Sequence, residues 1–198
     1  MSGLILASAS ETRDRLLRNA GIDFVAQPAR VDEESIKVAM QAEGAQPVDA
    51  AQALADLKAE RVSSGAPGAF VIGADQILEC DGVWYDKPNS PAAAHEHLAA
   101  LAGKTHRLHT AAAVAKDGTV IWREATRVSL TMRSLDDAAI AAYLGAAGET
   151  VMHSVGAYQI EGRGIQLFAS VQGDYFSILG LPLLALLNFL RGHGVVPA

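Results

Sequence analysis

The sequence is poor in cysteine, in positive charge and in long apolar runs, and each shortage removes a class of protein. A single cysteine, Cys80, rules out an intramolecular disulfide framework and fits a reducing compartment. With 16 Lys and Arg against 22 Asp and Glu, the net charge is −6, the wrong sign for a chain built to grip nucleic acid. The longest apolar stretch, Ile178 to Leu190, is too short to span a bilayer and is broken by Gly180, Pro182 and Asn188. The N-terminal MSGLILASAS has no basic leader and reads as a first strand rather than a signal peptide. The expectation is a soluble, cytoplasmic protein that engages neither membrane nor nucleic acid. No Walker-type loop, no G-x-G-x-x-G after a strand and no G-x-S-x-G occurs. The six histidines form no zinc pattern with Cys80 and read as non-ligands.

What is present is a large supply of core. Half of the 198 residues are hydrophobic and only 19% are charged, enough for one sizeable domain over residues 1–198. Leu4 to Ala7 reads as a short buried strand, and Ser10 as the N-cap of a helix from Glu11 to Ala20, stopped by Gly21. Phe24 to Ala29 reads as a second strand and Val31 to Glu34 as an acidic loop. Val48 to Ser63 carries Ala51, Leu54, Ala55 and Val62 at helical spacing. Ala69 to Glu79 is the clearest strand, turned by Asp81-Gly82 into a return strand Val83 to Asp86. Ser90-Pro91 opens a helix ending near Gly103. His106 to Ala115 and Thr119 to Met132 flank a second Asp-Gly turn at 117–118. Leu135 to Leu144 is helical, Tyr158 to Val171 mixes glycines with apolar residues, and Pro182 begins a last helix. Helices and hairpins together predict a mixed α/β fold.

Five places carry side chains suited to chemistry. The turn Ser8-Ala9-Ser10 leads into a helix bearing Arg13 and Arg15, and free backbone N–H groups with hydroxyls and a guanidinium suit a phosphate; a plain N-cap is the alternative. Asp75 closes the apolar run Phe70 to Ala74, and a carboxylate there must be paired, solvated or metal-bound. Lys87 follows the hairpin; simple register sets it opposite Gln76 and diagonal to Asp75. Lys58 lies on the 48–63 helix, where a single lysine is commonly solvated. Asp32-Glu33-Glu34 supplies hard oxygen donors suited to magnesium or manganese, or is simply a solvated acidic segment.

Each signal is weak alone, but their order is specific. LILASAS with Arg13, then VDE, LADLKA, GADQ, DKP, LAGKTH, GAYQIEGRG and GLPL together resemble the Maf family of nucleoside triphosphate pyrophosphatases, from Leu4 to about Leu190. The resemblance implies an elongated α/β fold, a mixed sheet with helices forming two lobes around a central cleft, and frequent homodimers. It implies cleavage between the α and β phosphates of a nucleoside triphosphate with a divalent metal cofactor, Mg or Mn. Carried over by position, Ser8, Ser10 and Arg13 match the phosphate-binding turn, and Lys58 and Lys87 the phosphate-facing lysines. Glu33 matches the acid near the metal. Asp75 matches the catalytic aspartate, with a share in the metal. Gln76 and Glu161 match the pattern of the subgroup acting on 7-methyl-GTP; a subgroup acting on dTTP and UTP tends to carry Thr and Gln there. Glu11, Thr12 and Asp86 depart from the commonest family residues. The alternatives are the dTTP/UTP preference and a nucleotide-binding regulator with little hydrolysis. The reading requires the serine turn, two lysines and two acids to converge on one triphosphate.

Overall fold

A computed structural model describes residues 3–197. Among the described residues, seven strands form one open sheet: β1 (Leu4–Leu6), β2 (Val25–Ala26), β3 (Phe70–Cys80), β4 (Val83–Tyr85), β5 (Thr105–Lys116), β6 (Thr119–Met132) and β7 (Phe168–Gln172). The order is β2-β1-β3-β5-β6-β7, with β4 paired to β3. β1 runs parallel to β2 and β3, whereas the β3–β4 and β6–β7 pairs are antiparallel. The helices are α1 (Glu11–Asn19), α2 (Glu33–Ala42), α3 (Pro47–Ser63), α4 (Pro91–Leu101), α5 (Asp137–Ala147), α6 (Tyr175–Ile178) and α7 (Leu183–Gly192). The mixed α/β class expected from the sequence is what the chain adopts. Among the described residues, no helix is long and apolar enough to cross a membrane.

The chain divides into two compact units. One holds the described residues of Met1–Gln76, His109–Arg127 and Asp174–Ala198; the other holds Ile77–Leu108 and Val128–Gly173. In the first unit, strand alternation sorts the side chains. Leu4, Leu6, Phe70, Ile72 and Ala74 enter a core with Leu16, Leu17, Leu186 and Leu190. Ile5, Ala7 and Val71 point to the opposite face and meet Val62 of α3. With a period of two, Asp75 shares the α3 face with Val71, and Gln76 shares the other with Ala74.

Gly73 sets how close α3 comes. A Cβ there would stand 2.1 Å from the Ala55 carbonyl oxygen and 2.7 Å from the Ala59 amide nitrogen. Only a residue without a side chain lets the α3 backbone lie this near β3. Ala51, Ala55 and Ala59, all fully buried at four-residue spacing, complete the small-residue contact on the helix side.

The second unit is built on β4, α4, α5 and β7, with α4 packed on α5. Its buried residues include Leu98, Leu101, Leu130, Met132 and Ile140. His106 and Tyr158 are buried there too and share a 2.8 Å hydrogen bond, beside the Phe168 ring. Burial pushes the His106 imidazole down to about 4 from 6.5 and raises the Tyr158 phenol.

Two expectations from the sequence are corrected. The segment read as an acidic loop is the start of α2: Asp32 accepts a hydrogen bond from the Ser35 amide at 3.1 Å, and Glu33 and Glu34 occupy the first turn. Acidic residues there complement the helix dipole, but no α2 residue is buried, so the segment lacks a fully apolar stripe. The second is the strand at 24–29, which is only Val25–Ala26, exposed at both positions. The Asp81-Gly82 turn is as expected, with φ of 51° and 82°. Its register pairs Leu78 with Tyr85, where the ladder stops.

Candidate active site

The first element is the turn into α1. The Ser8 hydroxyl accepts from the Ser10 amide at 3.2 Å, and the Ser10 hydroxyl accepts from the Arg13 amide at 3.4 Å. Ser10 therefore caps the helix, as its position before Glu11 predicts. Arg13 folds back under the turn. Its Nη1 donates to Ser8 Oγ at 3.2 Å, and its Nε donates to the Gly180 carbonyl at 2.8 Å. Burial pushes this guanidinium below its ordinary value, while the negative charges of Asp75 and Glu33 pull the other way. The serine turn thus lies within electrostatic reach of both acids.

The second element is the lysine between those acids. Lys58 Nζ stands 2.7 Å from Asp75 Oδ1, 2.9 Å from Glu33 Oε1 and 3.5 Å from the Ala74 carbonyl. Lys58 and Asp75 are each only 6% exposed at the side chain, so the pair is buried, whereas the Glu33 side chain is 43% exposed. The close approach at Gly73 explains this contact, since it brings one face of α3 onto the strand two residues before Asp75. Partial burial raises the Glu33 carboxyl, but Lys58, Lys37 and Arg13 together bring it below its ordinary value. Lys37 lies one turn along α2 from Glu33, a spacing visible in the sequence.

Asp75 Oδ2 is buried and, among the described residues, has no hydrogen-bond partner. A buried carboxylate oxygen normally has one. The donor set fits a hard divalent cation in one way only. Among the described residues, no cluster of three or more His, Cys, Asp or Glu side chains is placed to hold a metal. Asp75 and Glu33 supply oxygen donors on either side of Lys58. Two carboxylates with the rest of the shell completed by substrate phosphates and water is the usual way magnesium is held.

Six residues singled out in the sequence, Ser8, Ser10, Arg13, Glu33, Lys58 and Asp75, therefore gather in one unit. Gln76 follows on the other face of β3, where its Nε2 donates to Thr110 Oγ1 at 2.8 Å and to the carbonyls of Ser177 and Ile178 at 2.9 and 3.1 Å. Lys87 and Glu161 belong to the second unit, both exposed on loops. Sequence reasoning missed Thr110, Ser177 and the carbonyl of Gly180. The GLPL segment pointed to Gly180; nothing pointed to a backbone oxygen or to the other two.

Comparison with known proteins agrees with the order of motifs. The Maf-like protein family matches residues 3–193. A nucleoside triphosphate pyrophosphatase of Paramagnetospirillum magneticum is 53% identical over 190 residues, covering 96% of this chain and 98% of that protein. One of the same name from Rhodospirillum rubrum is 51% identical over 98% of this chain and 96% of its own length. A 7-methyl-GTP pyrophosphatase of Rhizobium johnstonii is 48% identical over 98% of this chain and 97% of its own. Matched over nearly its whole length, the chain belongs to the Maf-like protein family.

Proposed function

We propose that this chain hydrolyses nucleoside triphosphates between the α and β phosphates, releasing a nucleoside monophosphate and pyrophosphate. The observation that carries the reading is the buried Lys58–Asp75 pair, with its unpartnered Oδ2, within the field of the Ser8–Arg13 turn. Two groups of relatives, named for nucleoside triphosphates and for 7-methyl-GTP, support the substrate class. The names leave the base open, and the finer proposal is a preference for 7-methyl-GTP, with Glu161 accepting from the guanine edge. A dTTP or UTP preference is the second reading. Residues 1–198 act as one catalytic domain in this proposal, in the cytoplasm, without nucleic acid, and as a homodimer.

The residues divide the work by charge. Ser8, Ser10 and the α1 amides meet phosphate oxygens, and Arg13 neutralises them. Lys58 holds Asp75 through Oδ1 and leaves Oδ2 to orient a water and take its proton as oxygen attacks the α-phosphorus. Lys87 adds positive charge along the phosphates. A magnesium or manganese ion at Glu33 and Asp75 would supply charge neutralisation at the phosphates. Positioning and electrostatics carry phosphoryl transfer of this kind.

The test is a panel of ordinary and 7-methylated NTPs with Mg and Mn, reading pyrophosphate release in wild type and Asp75→Asn. The expected result is release from at least one NTP and a loss on the order of 100-fold in the variant, with nucleotide binding retained. Release of orthophosphate instead would show that a different bond is cut. Tight binding with no release under either metal would favour the regulator.

A further inference from the structure

A cavity of about 320 Å³ lies along α2 and α3, wholly within the first unit. None of the six residues gathered around Asp75 lines it. Its apolar wall is made by Val31, Ile36, Ala39 and Leu57. α2 packs on α3, yet none of its 10 residues is fully buried, and Leu57 on α3 stays 37% exposed. The two helices therefore leave apolar surface open between them, in a space of small-molecule size.

Two arginines line the same cavity: Arg30, in the segment before α2, and Arg61, in the last turn of α3. Arg61 complements the α3 dipole there. Neither guanidinium has a hydrogen-bond or ion-pair partner among the described residues. The carboxylate at the wall, Asp32, is turned to its own helix. Its Oδ1 accepts from the Ser35 amide at 3.1 Å and its Oδ2 from the Ser35 hydroxyl at 2.8 Å. Those bonds hold Asp32 below the usual carboxylate range, so it keeps its charge. The wall thus offers two guanidiniums against one carboxylate. Guanidinium groups pair with carboxylate or phosphate in two-point contacts. A phosphate dianion would meet Asp32 with twice the repulsion of a carboxylate monoanion. The apolar wall requires a ligand that also carries an apolar body.

We propose that this cavity binds a small carboxylate with a compact apolar body, aromatic or branched, as a regulatory ligand. The carboxylate pairs with Arg30 and Arg61, and the body fills the space beside Ile36, Ala39 and Leu57. A ligand there supplies packing that α2 otherwise lacks. α2 presents Glu33 to Lys58 at 2.9 Å, so occupancy steadies the helix that reaches the Asp75 pair. Any effect on turnover rests on the function proposed above; the binding and the steadying of α2 do not.

The experiment titrates the full chain with acetate, isovalerate, benzoate, benzamide and inorganic phosphate, and follows amide NMR shifts. Isovalerate and benzoate should bind roughly tenfold tighter than acetate, because the apolar body is buried. Benzoate should bind roughly tenfold tighter than uncharged benzamide. Shifts should centre on Val31, Ile36, Ala39 and Leu57. Arg30→Gln and Arg61→Gln should each weaken benzoate by roughly tenfold. Both arginines are exposed, so neither substitution disturbs the core. Arg191→Gln, at an exposed position on α7, should leave the affinity unchanged. In saturating benzoate, hydrogen exchange of the α2 amides should slow by roughly tenfold. Failure of both apolar carboxylates to bind overturns the proposal. So does benzoate affinity retained in both Arg30→Gln and Arg61→Gln, or benzamide binding as well as benzoate. Shifts centred on Ser10 and Asp75 would place benzoate in the other site and overturn it too. Phosphate binding more tightly than benzoate would overturn the carboxylate class, and unchanged α2 exchange the regulatory role.

Discussion

Replacing Lys58 by Met should strip Asp75 of its cation while keeping most of the side-chain volume. In the wild type, the carboxylate has Lys58 at 2.7 Å on Oδ1 and no partner on Oδ2, in a setting that leaves 6% of the side chain exposed. Removing one member of a buried ion pair costs about 3–5 kcal/mol, because the remaining charge stays desolvated. For a chain of this length that loss lowers the melting temperature by about 10 °C. Melting curves in EDTA, for wild type, Lys58→Met and Lys58→Met with Asp75→Asn, provide the assay. The double variant should recover most of the loss, since a neutral amide needs no cation. A single variant as stable as wild type, or a double variant no better than the single, would refute the assignment of a buried charge pair.

Two other predictions concern the framework. Gly73→Ala places a methyl group 2.1 Å from the Ala55 carbonyl oxygen, so α3 must move off β3; a loss of about 3 kcal/mol or more, read by urea denaturation, is expected. The same substitution should reduce pyrophosphate release in whatever fraction stays folded, because Lys58 moves with the helix. His106 has a folded pKa of about 4 against an ordinary 6.5. Its contribution is therefore complete above pH 6.5 and falls away toward pH 4, by about 3 kcal/mol over the window. Urea midpoints across that range should converge between wild type and His106→Gln; a gap independent of pH would remove His106 as the cause.

The sequence by itself determined most of the strands, most of the helices and the turns that join them. The apolar run Phe70 to Ala74, the two Asp-Gly pairs and the cap at Ser10 are local signals, and local backbone chemistry is enough to read them. α2 escaped because none of its residues is fully buried, and α6 because four residues carry no period. The order of motifs likewise carries the family resemblance without any geometry. Lys58 shows where this reading stops. On its helix it looks like any solvated lysine, and only the missing side chain at Gly73 brings it onto Asp75, seventeen residues away in the chain. The seat of Arg13 depends on a backbone oxygen 167 residues distant, and a carbonyl is present at every residue whatever its side chain. Which charges are paired and which oxygen is left open are set by distances of a few ångströms between remote segments, and those distances exist only once the chain has packed.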